Sequence, residues 1–253
     1  MKKMVIVADD YGFSKPVNRG IEASYIKGMV TEVSLMVYGQ KAQDAVEAAE
    51  KLEIDHLGIH VELLGWEQLG RPVTLKDYLK LFQEKSYEEV NELAQAELER
   101  FISLVGKKPT HITTHKGIHG NLKLLTSIVD YAKSNSIPVR LPNTELGDGL
   151  EVRNYAAEVI LKRSHLKYVD HLLAYVKGSD SVVIKERYLS GLKEVGDGET
   201  VEILIHPAYF DKELLKLSSL NYERSRDLAI FTDGDFKKSI QDLDFKLVGY
   251  GDL

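Results

Sequence analysis

Met4-Val5-Ile6-Val7-Ala8-Asp9-Asp10-Tyr11-Gly12-Phe13-Ser14-Lys15-Pro16 holds a strand, a polar turn and a helix start in one short stretch. The apolar, β-branched run reads as a buried strand, Asp9, Asp10 and Gly12 break it, and Ser14 with Pro16 opens a helix that runs to Gly28. Pro16 suits a first helical turn because no backbone donor is needed there. The same alternation recurs along the chain. Apolar runs predict strands at 4–8, 30–37, 57–63, 111–115, 137–141, 168–175, 201–206 and 246–250, with amphipathic stretches between them. One of these is announced by Ser86-Tyr87-Glu88-Glu89, a capping box ahead of a long helix ending near Gly106. Strands alternating with helices favour parallel pairing through crossover helices. The expected fold class is therefore α/β, a (β/α) TIM-like barrel of irregular form, although an open doubly wound sheet fits the periodicity almost as well.

A chain of 253 residues suits one such barrel, and no linker or repeat marks a boundary, so a single domain over 1–253 is expected. With 43% hydrophobic and 28% charged residues it can bury a sizeable core without staples. The balance of 33 basic and 39 acidic residues, net −6, offers no footprint for nucleic acid or an anionic membrane. No cysteine is present, so disulfides, thiolate nucleophiles and thiolate metal sites are excluded, and any metal must sit among histidine and carboxylate ligands. The apolar stretch before Asp9 is too short for a signal sequence and no run could span a bilayer, so a cytoplasmic location is expected. No patch marks a dimer interface, and a homodimer is left open.

Polar residues of the kind that bind metals or move protons cluster where strands end: Asp9-Asp10, His60 with Glu62, His115 then His119, and His206-Pro207. In a parallel barrel those ends share one face. Adjacent carboxylates repel unless a positive charge lies beside them, and a divalent cation supplies one. Adjacent side chains on a strand point opposite ways, so one aspartate can face a metal while the other, past the turn at Gly12, meets a proton. Taken singly, each feature has a plainer explanation: Asp-Asp-Tyr-Gly is a turn signal, His60 with His56 can be a surface face, and His111-x3-His115-x3-His119 also suits a helical turn. Their co-occurrence at equivalent strand ends favours a site. The segment 64–73, with Gly65, Trp66, Gly70 and Pro72, is expected as a loop bordering that face.

Several motifs are collinear with those of a known family. Val7-Ala8-Asp9-Asp10-Tyr11-Gly12-Phe13-Ser14 with Val17-Asn18-Arg19-Gly20-Ile21, and Gly58-Ile59-His60-Val61-Glu62-Leu63, lead the set. Arg71-Pro72-Val73, Pro109-Thr110-His111-Ile112 leading to His115 and His119, Arg140-Leu141-Pro142, and His206-Pro207-Ala208-Tyr209-Phe210-Asp211 with Glu223-Arg224 follow in order. Together they resemble the YdjC/ChbG-like carbohydrate deacetylases, whose known members act on N-acetylated chito-oligosaccharides. The resemblance implies a barrel related to polysaccharide deacetylases, metal ligands at Asp10, His60 and His115, a catalytic base at Asp9, and an acid or oxyanion partner at His206. The ion is one divalent metal, Mg²⁺ or Zn²⁺. Thr113 stands where the family usually has Asp, Gly117 where it has a histidine, and Glu62 where Asn is common; none of these removes an implied ligand.

The expected activity is metal-dependent hydrolysis of N-acetyl groups from amino-sugar oligosaccharides with release of acetate. Arg140, Trp66, Tyr209 and His119 are the candidates for substrate contact; Arg140 is read as orienting sugar hydroxyls or anchoring Asp9, and with equal weight as a structural salt bridge at a strand end. Two other readings remain: a metal-dependent phosphoesterase or amidohydrolase of other specificity, and a non-catalytic sugar-binding relative.

Overall fold

A computed structural model describes residues 1–142, 144–146, 150–152, 155–174 and 177–253. The first half runs β1 (Lys2–Tyr11), α1 (Lys15–Lys27), β2 (Glu32–Leu35), α2 (Ala42–Lys51), β3 (Leu57–Val61), α3 (Trp66–Leu69), α4 (Leu75–Glu84), α5 (Tyr87–Val105) and β4 (Ile112–Thr114). A 3₁₀ segment, His115–Gly120, leads to α6 (Leu122–Asn135). Then follow β5 (Thr144–Leu146), β6 (Leu150–Val152), α7 (Tyr155–Ser164), β7 (His171–Ala174), α8 (Ser181–Lys193) and β8 (Thr200–Ile205). The chain ends with α9 (Lys212–Leu217), α10 (Tyr222–Phe231), α11 (Gly234–Gln241) and β9 (Phe245–Leu247).

The sheet order is β4-β3-β2-β1-β8-β7-β5-β6, parallel throughout except for the β5–β6 hairpin. β1 is central and fully buried from Met4 to Tyr11. One edge of β1 pairs with β8, while the other pairs with β9 at Lys2–Met4 and with β2 from Val7 onward. Closure comes through the stretch after α6: Val139 bridges Ile112 of β4 and donates to the Lys167 carbonyl, and β5 farther along pairs with β7. The result is an irregular α/β barrel of TIM-like form, which separates it from the open doubly wound alternative. No helix among the described residues is long and apolar enough to cross a membrane.

Most expected elements are present, most of the strands with trimmed ends, whereas the first strand is longer than 4–8 and runs from Lys2 through Asp9 and Asp10 to Tyr11. The helices from Ser14 and Ser86 begin and end as read, with Gly28 and Gly106 as their C-caps. The strand expected at 137–141 is reduced to the single bridge at Val139, because Pro138 and Pro142 have no N–H to give to a ladder. The strand expected at 168–175 is shortened to His171–Ala174, and Tyr175 lies outside the described residues. Tyr250 leaves the last strand and starts a 3₁₀ turn. The hairpin β5–β6 has three-residue strands, too short to show as a periodic run.

The end of the barrel away from the Asp9-Asp10 pair is pinned by a buried carboxylate. Glu32 accepts from Thr110 Oγ1 (2.9 Å), from the Tyr250 backbone N–H (2.7 Å) and from His111 Nδ1 (3.0 Å). His111, wholly buried, also meets Ser34 Oγ at 2.8 Å and stacks on the Tyr250 ring. His111 thus belongs to this end and not to the face where His115 lies. Gly58 is required beside it, since a Cβ there would sit 2.3 Å from the His111 ring. Burial opposes ionisation of Glu32, but the His111 ring, by charge and hydrogen bond, holds the carboxyl far below its ordinary 4.5. A depressed folded-state pKa stabilises the fold fully above about 4.5, and that contribution is lost as pH falls. Glu32→Gln is therefore expected to cost about 3–5 kcal/mol in urea melts at pH 7. The gap from wild type should narrow at pH 4; equal midpoints at pH 7 would refute the role.

Candidate functional site

The two aspartates reach the same place because β1 carries a bulge. Ala8 pairs with Val33 and Tyr11 with Leu35, so Asp9 and Asp10 together oppose Ser34 alone. Asp10 takes φ 72°, a left-handed conformation uncommon for a residue with a side chain. A bulge re-aims side chains that simple alternation would send to opposite faces. The redirection thus occurs at Asp10 itself and not at Gly12, where the sequence reading placed it.

Asp10 stands at the centre of the cluster. Its Oδ1 lies 3.0 Å from His115 Nδ1 and 3.3 Å from His60 Nε2, while Oδ2 accepts from Arg224 Nη2 at 2.5 Å. One ligand atom from each of Asp10, His60 and His115 falls within 4.8 Å of the others, so the three could hold one metal ion. His60 comes from β3, His115 from the turn that ends β4, where Lys116 (φ 54°) and Gly117 (φ 64°) bend the chain back. His60 and Asp10 are each 1% exposed.

The donor chemistry fits a divalent cation. His60 Nε2 is buried without a hydrogen-bond partner, its approach to Asp10 lacking hydrogen-bond geometry. A buried polar atom left in that state is costly unless something else satisfies it. Burial holds His115 below the ordinary imidazole range despite the opposing charge of Asp10, which leaves a neutral ring with a lone pair to give. For Asp10, burial raises the pKa, yet Arg224 and His115 outweigh it and keep the carboxyl well below its ordinary range.

Asp9 is held apart from this set. Arg140 grips it with Nη1 to Oδ2 at 2.5 Å and Nη2 to Oδ1 at 3.1 Å. Arg140 is itself shared with Glu202, whose Oε1 accepts from Nε at 2.6 Å and whose other oxygen accepts from the Tyr250 hydroxyl. Burial raises the Asp9 pKa, but the Arg140 charge, helped by His60, more than offsets it, so Asp9 is ionised. His206 follows β8 and is half-buried, and its backbone N–H donates to Asp227 Oδ2. Burial pushes its ring down to about 4 against the pull of Asp10, so it is neutral near pH 7. Gly20 lets α1 press against this segment, since a Cβ there would lie 2.4 Å from the Ala208 Cα.

A cleft opens beside His115, lined among others by Phe13, Glu62, Trp66, Arg71 and Val73. The expected loop 64–73 forms its wall and contains one helical turn, α3. Glu62 is buried and raised well above the carboxylate range by burial and by Glu97, which itself accepts the Glu62 and Leu63 backbone N–H groups. Of the residues considered for substrate contact, Trp66 lines the cleft. Arg140 is occupied with Asp9 and Glu202. Tyr209 is 41% exposed and lies over Arg19. His119 is 3% exposed with Nδ1 against Thr114 Oγ1.

Four side chains were not singled out from sequence as parts of the site: Arg224, Glu202, Tyr250 and, as an asset, Thr113. Arg224 sits in the Glu223-Arg224 motif, which was the only available signal.

The YdjC-like protein family model matches residues 3–242. A carbohydrate deacetylase of Thermoanaerobacter pseudethanolicus is 30% identical over the whole of both chains. A carbohydrate deacetylase of Brevibacillus brevis is 29% identical over 99% of each chain, and a chitooligosaccharide deacetylase of Serratia marcescens is 27% identical over the whole of both. A solved structure from Enterococcus faecalis V583, described as that of a candidate cellobiose-phosphate cleavage protein, aligns with TM-score 0.81 and 26% identity over 99% of this chain and 98% of its own. A family match across nearly the full length, carried by a barrel whose mouth gathers Asp9, Asp10, His60 and His115, leads to one statement: the chain belongs to the YdjC-like protein family.

Proposed function

We propose that the chain, acting as one catalytic unit, is a metal-dependent deacetylase that removes N-acetyl groups from amino-sugar oligosaccharides of the chito-oligosaccharide type and releases acetate. The carrying observation is the convergence of Asp10, His60 and His115 ligand atoms within 4.8 Å, beside an ionised Asp9 that no metal ligand consumes. The full-length deacetylase relatives support the reaction class. A divalent cation held by Asp10, His60 and His115 would supply Lewis acidity, polarising the acetamide carbonyl and acidifying water.

The chain's own residues supply the rest. Asp9 takes the proton of the attacking water on a carboxylate oxygen, and Arg140 keeps that carboxylate ionised and aimed. The neutral His206 offers a ring N–H to the developing oxyanion or to the sugar nitrogen. Since its ring carries no extra proton at rest, His206 gives one to the departing amine only after receiving the proton that Asp9 took from water, which returns Asp9 to its ionised form. The C–N bond then breaks, yielding acetate and a free amine. Trp66 at the cleft wall provides a flat apolar face for a sugar ring.

The test is mass spectrometry and acetate assay after incubation with diacetylchitobiose, before and after chelation. Loss of one acetyl group, abolished by chelator and restored by Mg²⁺ or Zn²⁺, is expected. Phosphate release from sugar phosphates with no acetate, or tight oligosaccharide binding without product, would replace this reading.

A further inference from the structure

His60 and Thr113 are directly paired residues on neighbouring strands β3 and β4. His60 Nδ1 lies 2.7 Å from Thr113 Oγ1, and both side chains are 1% exposed. The Thr113 hydroxyl donates to the Ile59 carbonyl at 3.3 Å, which commits its single proton and turns a lone pair toward the imidazole. His60 must then be the donor in the shorter bond, so Nδ1 carries the ring proton and Nε2 bears the free lone pair. Nε2 is also the atom that faces Asp10 Oδ1 at 3.3 Å and has no hydrogen-bond partner. The reverse tautomer would spend Thr113's proton on Nδ1, release the Ile59 carbonyl, and bury an Nε2–H with no aligned acceptor.

We propose that Thr113 is a positioning residue that locks His60 in the Nδ1–H tautomer and so presents Nε2 to a divalent cation; the inference rests on the metal-dependent reading above. A second consequence concerns Asp9. Its Oδ1 lies 3.7 Å from His60 Nδ1, too far for a hydrogen bond but within reach of a small ring rotation. With Thr113 accepting the Nδ1–H, Asp9 is spared that task and its oxygens stay with Arg140. Without the hydroxyl, His60 would turn toward Asp9, taking Nε2 off its line to Asp10 and His115. A hydroxyl serves here where metal-bound histidines often use a carboxylate, and it orients the ring without adding charge to a site that already holds Asp9 and Asp10.

The experiment measures Zn²⁺ affinity by chelator competition, with no substrate present, on wild type, Thr113→Val and Thr113→Ser. The valine is nearly isosteric and removes only the hydroxyl; it should weaken Zn²⁺ binding by about 10–100-fold. The serine keeps the hydroxyl and should stay within about threefold of wild type, a rescue that a purely packing role would not give. Long-range ¹H–¹⁵N spectra of the Zn²⁺-loaded wild type should show His60 protonated at Nδ1 and metal-bound through Nε2. Equal affinity of the valine variant, a serine variant as weak as valine, or metal on Nδ1 would each overturn the proposal. Wild type that binds Zn²⁺ but releases no acetate refutes the deacetylase reading alone, whereas wild type that binds no Zn²⁺ overturns both.

Discussion

Asp9→Asn is expected to lower turnover by about 10²–10⁴-fold while leaving divalent-metal content at the wild-type level. The expectation separates two carboxylates that are adjacent in sequence and equally buried. Asp10 meets both histidines through Oδ1, whereas both oxygens of Asp9 face Arg140. Replacing Asp9 with the amide keeps its volume and one acceptor but removes the ability to hold a proton as a neutral acid. One guanidinium N–H would also face an amide N–H, so Arg140 would lean on Glu202, its remaining partner. None of this touches the ligand atoms of Asp10, His60 or His115. Metal content by plasma emission and kcat on diacetylchitobiose check the split. A variant that keeps wild-type turnover would remove Asp9 from the chemistry, and one that loses its metal would make Asp9 part of the metal set.

The residues that sequence reading placed at the mouth of the barrel share a property: each lies in the last two positions of a strand or directly after one, so its position follows from that strand. Asp10, His60, His115 and His206 were legible on that ground, and α1 and α5 through their end signals. What escaped was contact between distant parts of the chain. Arg224 reaches Asp10 across 214 residues from a helix, α10, on which it looks like any exposed charge. Tyr250 meets Glu202, and through it Arg140, only after the last strand has folded against the first. The bulge at Asp10 had no signal, since it depends on register against β2 and not on residue type. Thr113 read only as a departure from a family pattern, because its value lies in the proton it gives to Ile59 and the lone pair it offers His60.

His115→Ala should behave unlike Asp9→Asn, losing metal and activity together. His115 is the most accessible of the three proposed ligands, with a side chain 12% exposed, and it is presented by the Lys116–Gly117 turn rather than by a strand. Its removal leaves Asp10 and His60, and three protein ligands are the usual minimum for a catalytic site of this kind. The loss of affinity should therefore exceed the about 10–100-fold expected for a residue that only orients a ligand. The fold should survive, since Asp10 keeps Arg224 on Oδ2 and the truncated side chain lies at the mouth and not in the core. Thermal melts recorded in chelator should accordingly match wild type, whereas melts in excess Zn²⁺ should separate the two, because a cation that binds the folded chain raises its midpoint. A His115→Ala protein that still gains stability from Zn²⁺ as wild type does would show that the cation is held elsewhere, and the grouping of Asp10, His60 and His115 would lose its meaning.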